Sequence, residues 1–192
     1  MSVFLPKFIR KILTKLLCKK NPYLEEIGVT NYSCNHCGGI TTLRDIRSHL
    51  RNERIRRKTG IDPRDCWDLD TTFFQWLYCN CKQLLKDTNA DLTWRKYEHK
   101  GKTYTEGEYI EYLMDLCKQV MLFDEFKNCP EIEWETEKVT DPDTGFVTLK
   151  YKNSEEEIER FREQSNLNLK ELHTLEKEVF DVFYELLHAL WW

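Results

Sequence analysis

The sequence predicts a mainly α-helical protein: a three-helix bundle with two β-hairpins, preceded by a basic N-terminal helix and a zinc knuckle. Apolar residues recur at three- and four-residue spacing through 3–20, 63–87, 108–127 and 155–191. Helix-start signals stand at Asp62-Pro63, at Thr105 with Glu108 and at Ser154 with Glu157. Two further stretches alternate in polarity around turn-forming residues. A chain of 192 residues allows one or two domains, and 41% apolar residues are enough to pack a core.

Residues 3–20 form the first element, a basic amphipathic helix. Phe4, Leu5, Phe8, Ile9, Ile12, Leu13, Leu16 and Leu17 follow the helical spacing, with Lys7, Arg10, Lys11, Lys15 and Lys19 largely opposite. Pro6 is tolerated in the first turn, and Asn21-Pro22-Tyr23 ends the helix. Residues 42–58 form a second, strongly basic helix. A third runs over about 63–87: Asp62 caps it, Pro63 takes its first position, and Leu69, Phe73, Trp76, Leu77, Cys81 and Leu84 make its apolar stripe.

Residues 94–105 alternate around Lys100-Gly101 and read as a hairpin. Thr105 and Glu108 form a capping box for a helix reaching about residue 127, with Ile110, Leu113, Leu116, Cys117 and Val120 inward. Residues 132–151 form a second hairpin, turning at Asp141-Pro142-Asp143-Thr144-Gly145. Ser154 and Glu157 open the last helix, 155–191, with Ile158, Phe161, Leu169, Leu172, Val179, Phe183, Leu186 and Leu190 inward. Asn166 and Asn168 are positions where it would kink.

Charge divides the chain in two. Residues 1–60 hold 13 Lys+Arg and 4 Asp+Glu, a net of +9; residues 61–192 hold 16 and 29, a net of −13. The predicted domains follow: a basic N-terminal region, 1–60, and an acidic helical body, 61–192. Mutual neutralisation of the halves is the plain alternative. A charged fraction of 32% excludes a membrane-embedded protein, and no apolar run spans a bilayer. Eight cysteines could frame a secreted fold. Cys66, Cys79, Cys81 and Cys117 fall within helical patterns, however, which fits buried thiols in a reducing cytosol better.

Cys34-x-x-Cys37 has the spacing of a zinc half-site, and His49 follows at about finger distance, one residue short of the common spacing. Cys18, Cys66 or Glu53 would be the fourth ligand; without metal, the pair is two thiols in a turn. Arg44, Arg47, Arg51, Arg54, Arg56, Arg57 and Lys58 lie on or just after one helix, and guanidinium forks suit phosphate. They form a nucleic-acid or partner contact, or a solvated face. The helix 3–20 suits a membrane surface, a partner's groove or its own bundle. Asp62, Asp65, Asp68 and Asp70 read as capping and packing residues, with a magnesium site the alternative. No catalytic residue is assigned: nucleophile elbow, phosphate-binding loop and dinucleotide fingerprint are all missing from the sequence.

Around Asp62, Asp65, Trp67, Leu69 and Asp70 the chain resembles a family of small tailed-phage and prophage proteins that carry an acid-x-x-acid-x-Trp-x-Leu-Asp helix start. Ile61 stands where that family has an aromatic. The resemblance extends over about 60–192, through "YTEGEYIEYLMDL" and the closing "LLHALWW". It implies a virus-encoded helical protein of the host cytoplasm and transfers no catalytic residue. The expected function is a non-enzymatic phage accessory protein binding a host component, the acidic body offering a surface to a cationic host protein such as a nucleic-acid-handling or defence factor. Second come nucleic-acid binding by the basic region and peripheral membrane binding through 3–20. A metal-dependent hydrolase is third.

Overall fold

The structure, a computed structural model, describes residues 6–17, 21–29, 42–59, 69–88, 92–140, 142 and 145–187. It is mostly helical, with two antiparallel strand pairs. In order these are α1 (Lys7–Leu17), α2 (Pro22–Glu26), α3 (Leu43–Thr59), α4 (Leu69–Asp87), β1 (Lys96–His99), β2 (Lys102–Thr105), α5 (Glu106–Met121), β3 (Thr136–Thr140), β4 (Val147–Tyr151) and α6 (Glu155–Leu186). Packing divides the chain into two units, residues 1–122 with 179–192, and residues 123–178. The change of charge at residue 60 falls inside the first.

The first unit holds the apolar core. α4 contributes Phe74, Leu77, Tyr78 and Cys81; α5 contributes Tyr109, Ile110, Leu113, Leu116 and Cys117; the end of α6 contributes Val179, Val182 and Leu186. Each set repeats at three or four residues, so each helix turns one stripe inward. The α4 stripe is rotated from the expected one, since Trp76 is 54% exposed and stacks on Phe73 at 6.2 Å. Phe74 and Tyr78, on the neighbouring face, bury comparable aromatic area, so spacing alone left two stripes in competition.

Asn21-Pro22-Tyr23 starts a helix instead of only ending one. The Asn21 side chain accepts from the Tyr23 N–H at 3.0 Å, and Pro22 takes the first position of α2. The short helix buries Leu24, and Val29 follows it into the core. The β1–β2 hairpin pairs Tyr97 with Tyr104 and His99 with Lys102. Lys100 and Gly101 turn it at φ of +50° and +75°, which matches the right-handed strand twist. Tyr97 stacks on Tyr109 at 4.8 Å and Tyr104 on Tyr112 at 5.4 Å, so the hairpin covers α5.

The Thr105–Glu108 capping box forms as expected, with Thr105 N–H donating to Glu108 at 2.7 Å. The helix it opens stops at Met121, short of the expected 127. Asp124 accepts from the Phe126 N–H at 3.0 Å, and Asn128 adopts a left-handed φ of +60°; both favour a turn over a further helical one.

In the second unit β3 and β4 pair from Thr136↔Tyr151 to Thr140↔Val147. Trp134 meets Phe161 edge-on at 5.3 Å and Tyr151 at 5.1 Å. The Ser154–Glu157 capping box is also formed, at 3.1 and 3.3 Å. Asn168 does not break α6, which is continuous through it. Its amide donates to the carbonyls of Glu125 at 2.9 Å and Lys127 at 2.8 Å, and accepts from Gln164 at 3.0 Å. Among the described residues of this unit Asn168 is the buried one.

Candidate functional site

Local chemistry fixes the start of α3. The Asp45 carboxylate accepts from the Thr42 N–H at 2.7 Å, and the Thr42 hydroxyl accepts from the Asp45 N–H at 3.2 Å, a reciprocal cap. No Gly or Pro interrupts the 17 residues that follow, and arginine is a good helix former. At the far end the Thr59 hydroxyl donates to the Ile55 carbonyl at 3.0 Å. Arg56, Arg57 and Lys58 in the last turn suit the negative end of the helix dipole.

At about 100° per residue, Arg44, Arg47, Arg51, Arg54 and Lys58 fall within one sector of roughly 80°, a stripe about 21 Å long. All five are exposed, as are Arg56 and Arg57. Arg56 pairs with Glu53 at 2.9 Å, on another face of the helix. Among the described residues the other six cations pair with no carboxylate. Among the described residues, neutralisation by the acidic half is not seen at this helix; Asp62, Asp65 and Asp68, which follow it in sequence, lie outside them.

The arrangement works against the helix itself. Neighbouring like charges at three and four residues cost about 0.2–0.5 kcal/mol each, so four such pairs cost roughly 1–2 kcal/mol at low salt. Arg44 and Arg47 also stand near the positive end of the dipole, where anions are favoured. A surface that served only solubility would intersperse Glu at these spacings. A polyanion laid along the stripe offsets both penalties.

His49 is the buried residue of α3, 6% exposed. Cys34 and Cys37, its expected partners at zinc, lie outside the described residues, as do Cys18 and Cys66; Glu53 is half-buried and held by Arg56. Among the described residues no three His, Cys, Asp or Glu side chains come together to hold a metal ion. Asp62, Asp65, Asp68 and Trp67 are likewise outside them. Leu69 and Asp70 open α4.

Cys79, Cys81, Cys117 and Cys129 are free thiols. Burial pushes the Cys81 thiol up to about 12 and raises Cys117 further still. Neither is a nucleophile near neutral pH. Tyr109 is fully buried, donates to Glu185 at 2.5 Å, and is raised by burial and then by that carboxylate.

An open pocket of about 310 Å³ in the second unit is lined by Glu131, Glu133, Glu135 and Glu157. Two of its carboxylates have structural work: Glu157 caps α6, and Glu135 meets Lys152 at 3.3 Å. The sequence put these cations on or just after one helix and read Asn168 as a kink; it did not foresee the partners of Asn168 at Glu125 and Lys127 or of Tyr109 at Glu185, 41 to 76 residues away. Comparison with protein-family models, curated proteins and solved structures finds no match to this chain.

Proposed function

We propose that the protein is a non-enzymatic phage accessory protein that binds a host component in the host cytoplasm, and that it does so by laying α3 against a nucleic-acid backbone. One observation carries this reading: five cations on one exposed face of a helix, none paired with a carboxylate among the described residues. Arginine forks bind phosphate in two-point fashion, and displaced counterions supply the affinity. Apart from Arg and Lys, which also fork onto guanine edges, the stripe offers none of the Asn, Gln or acidic side chains that read bases, so the reading is of backbone contact with no defined sequence.

The finer architecture belongs to this reading. α4, α5 and the end of α6 form the three-helix bundle of the first unit, and a zinc knuckle of Cys34, Cys37 and His49 seats α3 beside it. The burial of His49, the one buried residue of α3, supports that role. Protein purified without a metal-binding tag is expected to carry one zinc per chain, lost in Cys34→Ser; metal-free wild-type protein with unchanged nucleic-acid binding would remove the knuckle.

The test of the main reading is fluorescence anisotropy on labelled duplex and single strands. Arg47→Glu with Arg51→Glu is expected to lower affinity more than tenfold at moderate salt while the melting temperature holds. Equal affinity of variant and wild type would overturn it.

A second reading is favoured by the charge of the other unit. Residues 123–178 carry 16 acidic and 8 basic residues, a net of −8, with Glu155, Glu156, Glu159 and Glu163 exposed on α6. That face suits a cationic host protein, which charge steering would select. Salt-sensitive retention of one host protein, abolished by Glu156→Lys with Glu159→Lys, is its signature.

A further inference from the structure

α1 is separated from α3 in chemistry as well as in sequence. It carries no acidic residue from Lys7 to Leu17. At about 100° per residue the positions of Lys7, Arg10, Lys11 and Lys15 occupy one sector of roughly 140°. Phe8, Ile9, Ile12, Leu13, Leu16 and Leu17 occupy the opposite sector of roughly 180°. Three of these apolar side chains face solvent: Phe8 is 75% exposed, Ile9 41% and Ile12 42%. Lys7 and Lys11 are exposed on the other side.

A helix packed into its own protein buries such a sector, and α4 and α5 do so. A helix held in a protein groove is read as a row of anchors at three- and four-residue spacing. A half-circle of apolar side chains faced by a sector of cations alone is the arrangement of a helix half-sunk in a flat interface. Its apolar side reaches acyl chains, and its lysines reach headgroups. No helix among the described residues is long and apolar enough to cross a membrane, so this contact is with the surface.

We infer that α1 is a membrane-surface helix whose partner is an anionic lipid bilayer, with Phe8, Ile9 and Ile12 inserted and Lys7 and Lys11 over the headgroups. This contact is independent of the nucleic-acid stripe on α3. Juxtamembrane cations each strengthen binding to an anionic surface, and apolar area adds to it, so both parts of the helix are needed.

The experiment is co-sedimentation of the full chain with vesicles of phosphatidylcholine alone and of phosphatidylcholine with about a third phosphatidylserine, the acidic lipid that recruits polybasic segments. Expected is at least about tenfold stronger binding to the anionic vesicles, weakening with salt. Phe8→Asp with Ile12→Asp should lose that binding at an unchanged melting temperature. The same variant should keep its affinity for nucleic acid, whereas Arg47→Glu with Arg51→Glu should keep its affinity for vesicles. Equal binding to both vesicle types would overturn the inference, as would unchanged binding by the Phe8/Ile12 variant. A drop in its melting temperature without a change in vesicle binding would place α1 against its own protein and overturn it as well.

Discussion

Two residues carry predictions of their own. Asn168 gives both amide hydrogens to backbone carbonyls of the turn after α5, at 2.9 and 2.8 Å. Asn168→Ala leaves those carbonyls without a donor, and denaturant melts should show a loss of about 1–3 kcal/mol. Asn168→Asp should lose more, because it sets a carboxylate against two carbonyl oxygens. Cys81 is the second case. Burial pushes its thiol up from the ordinary 9.0 to about 12. Above pH 9 the unfolded chain has released a proton that the native chain retains, so stability must fall as pH rises from about 9 towards about 12. The slope is at most about 1.4 kcal/mol per pH unit from this thiol. Urea melts at pH 8, 9 and 10 should show Cys81→Ala with a shallower decline than the wild type. Both residues show why sequence reading stops where it does. Asn168 stood at a position read as a kink because Asn disfavours helix interiors. Its compensation comes from Glu125 and Lys127, far away in sequence and invisible to periodicity.

Elements were most legible where the signal was local. Both capping boxes and the Lys100-Gly101 turn formed at the residues expected, since each depends on neighbours within a few positions; the hairpins pair over shorter stretches than expected, starting at Lys96 and Thr136 instead of 94 and 132. The apolar repeat of α5 was legible because its polar face is uniform; that of α4 was not, because aromatics stand on two adjacent faces. α2 was missed: Asn-Pro was read as a stop, although Asn at the cap and Pro at the first position also make a start. The stripe on α3 was legible in full as a list of arginines. Their exposure, without carboxylate partners among the described residues, is what the structure adds. Neutralising Arg56 should therefore matter less than neutralising Arg51, since Arg56 is on another face and already paired with Glu53. Anisotropy measured for Arg56→Ala and Arg51→Ala checks this, with the larger loss of nucleic-acid affinity expected in Arg51→Ala.

For the whole molecule, the apolar core belongs to one unit. Residues 123–178 hold the aromatic cluster of Phe126, Trp134, Tyr151 and Phe161 and the Asn168 clamp, and β4 is exposed along its length. A two-stranded hairpin with so little covering it is marginal by itself. Amide exchange should be fast in β3 and β4 and slowest in α4 and α5, and uniform protection through both units would contradict this division of stability. Charge is divided too, which is why one net value hides a basic helix and an acidic unit. The most direct test of the central claim is the salt dependence of binding to a labelled DNA duplex. If α3 lies on the backbone, the logarithm of the affinity falls linearly with the logarithm of salt, with a slope of about −4 to −5 for five cations. Arg47→Ala with Arg51→Ala should reduce that slope by about 2. A flat salt dependence, or one slope shared by wild type and variant, would contradict it.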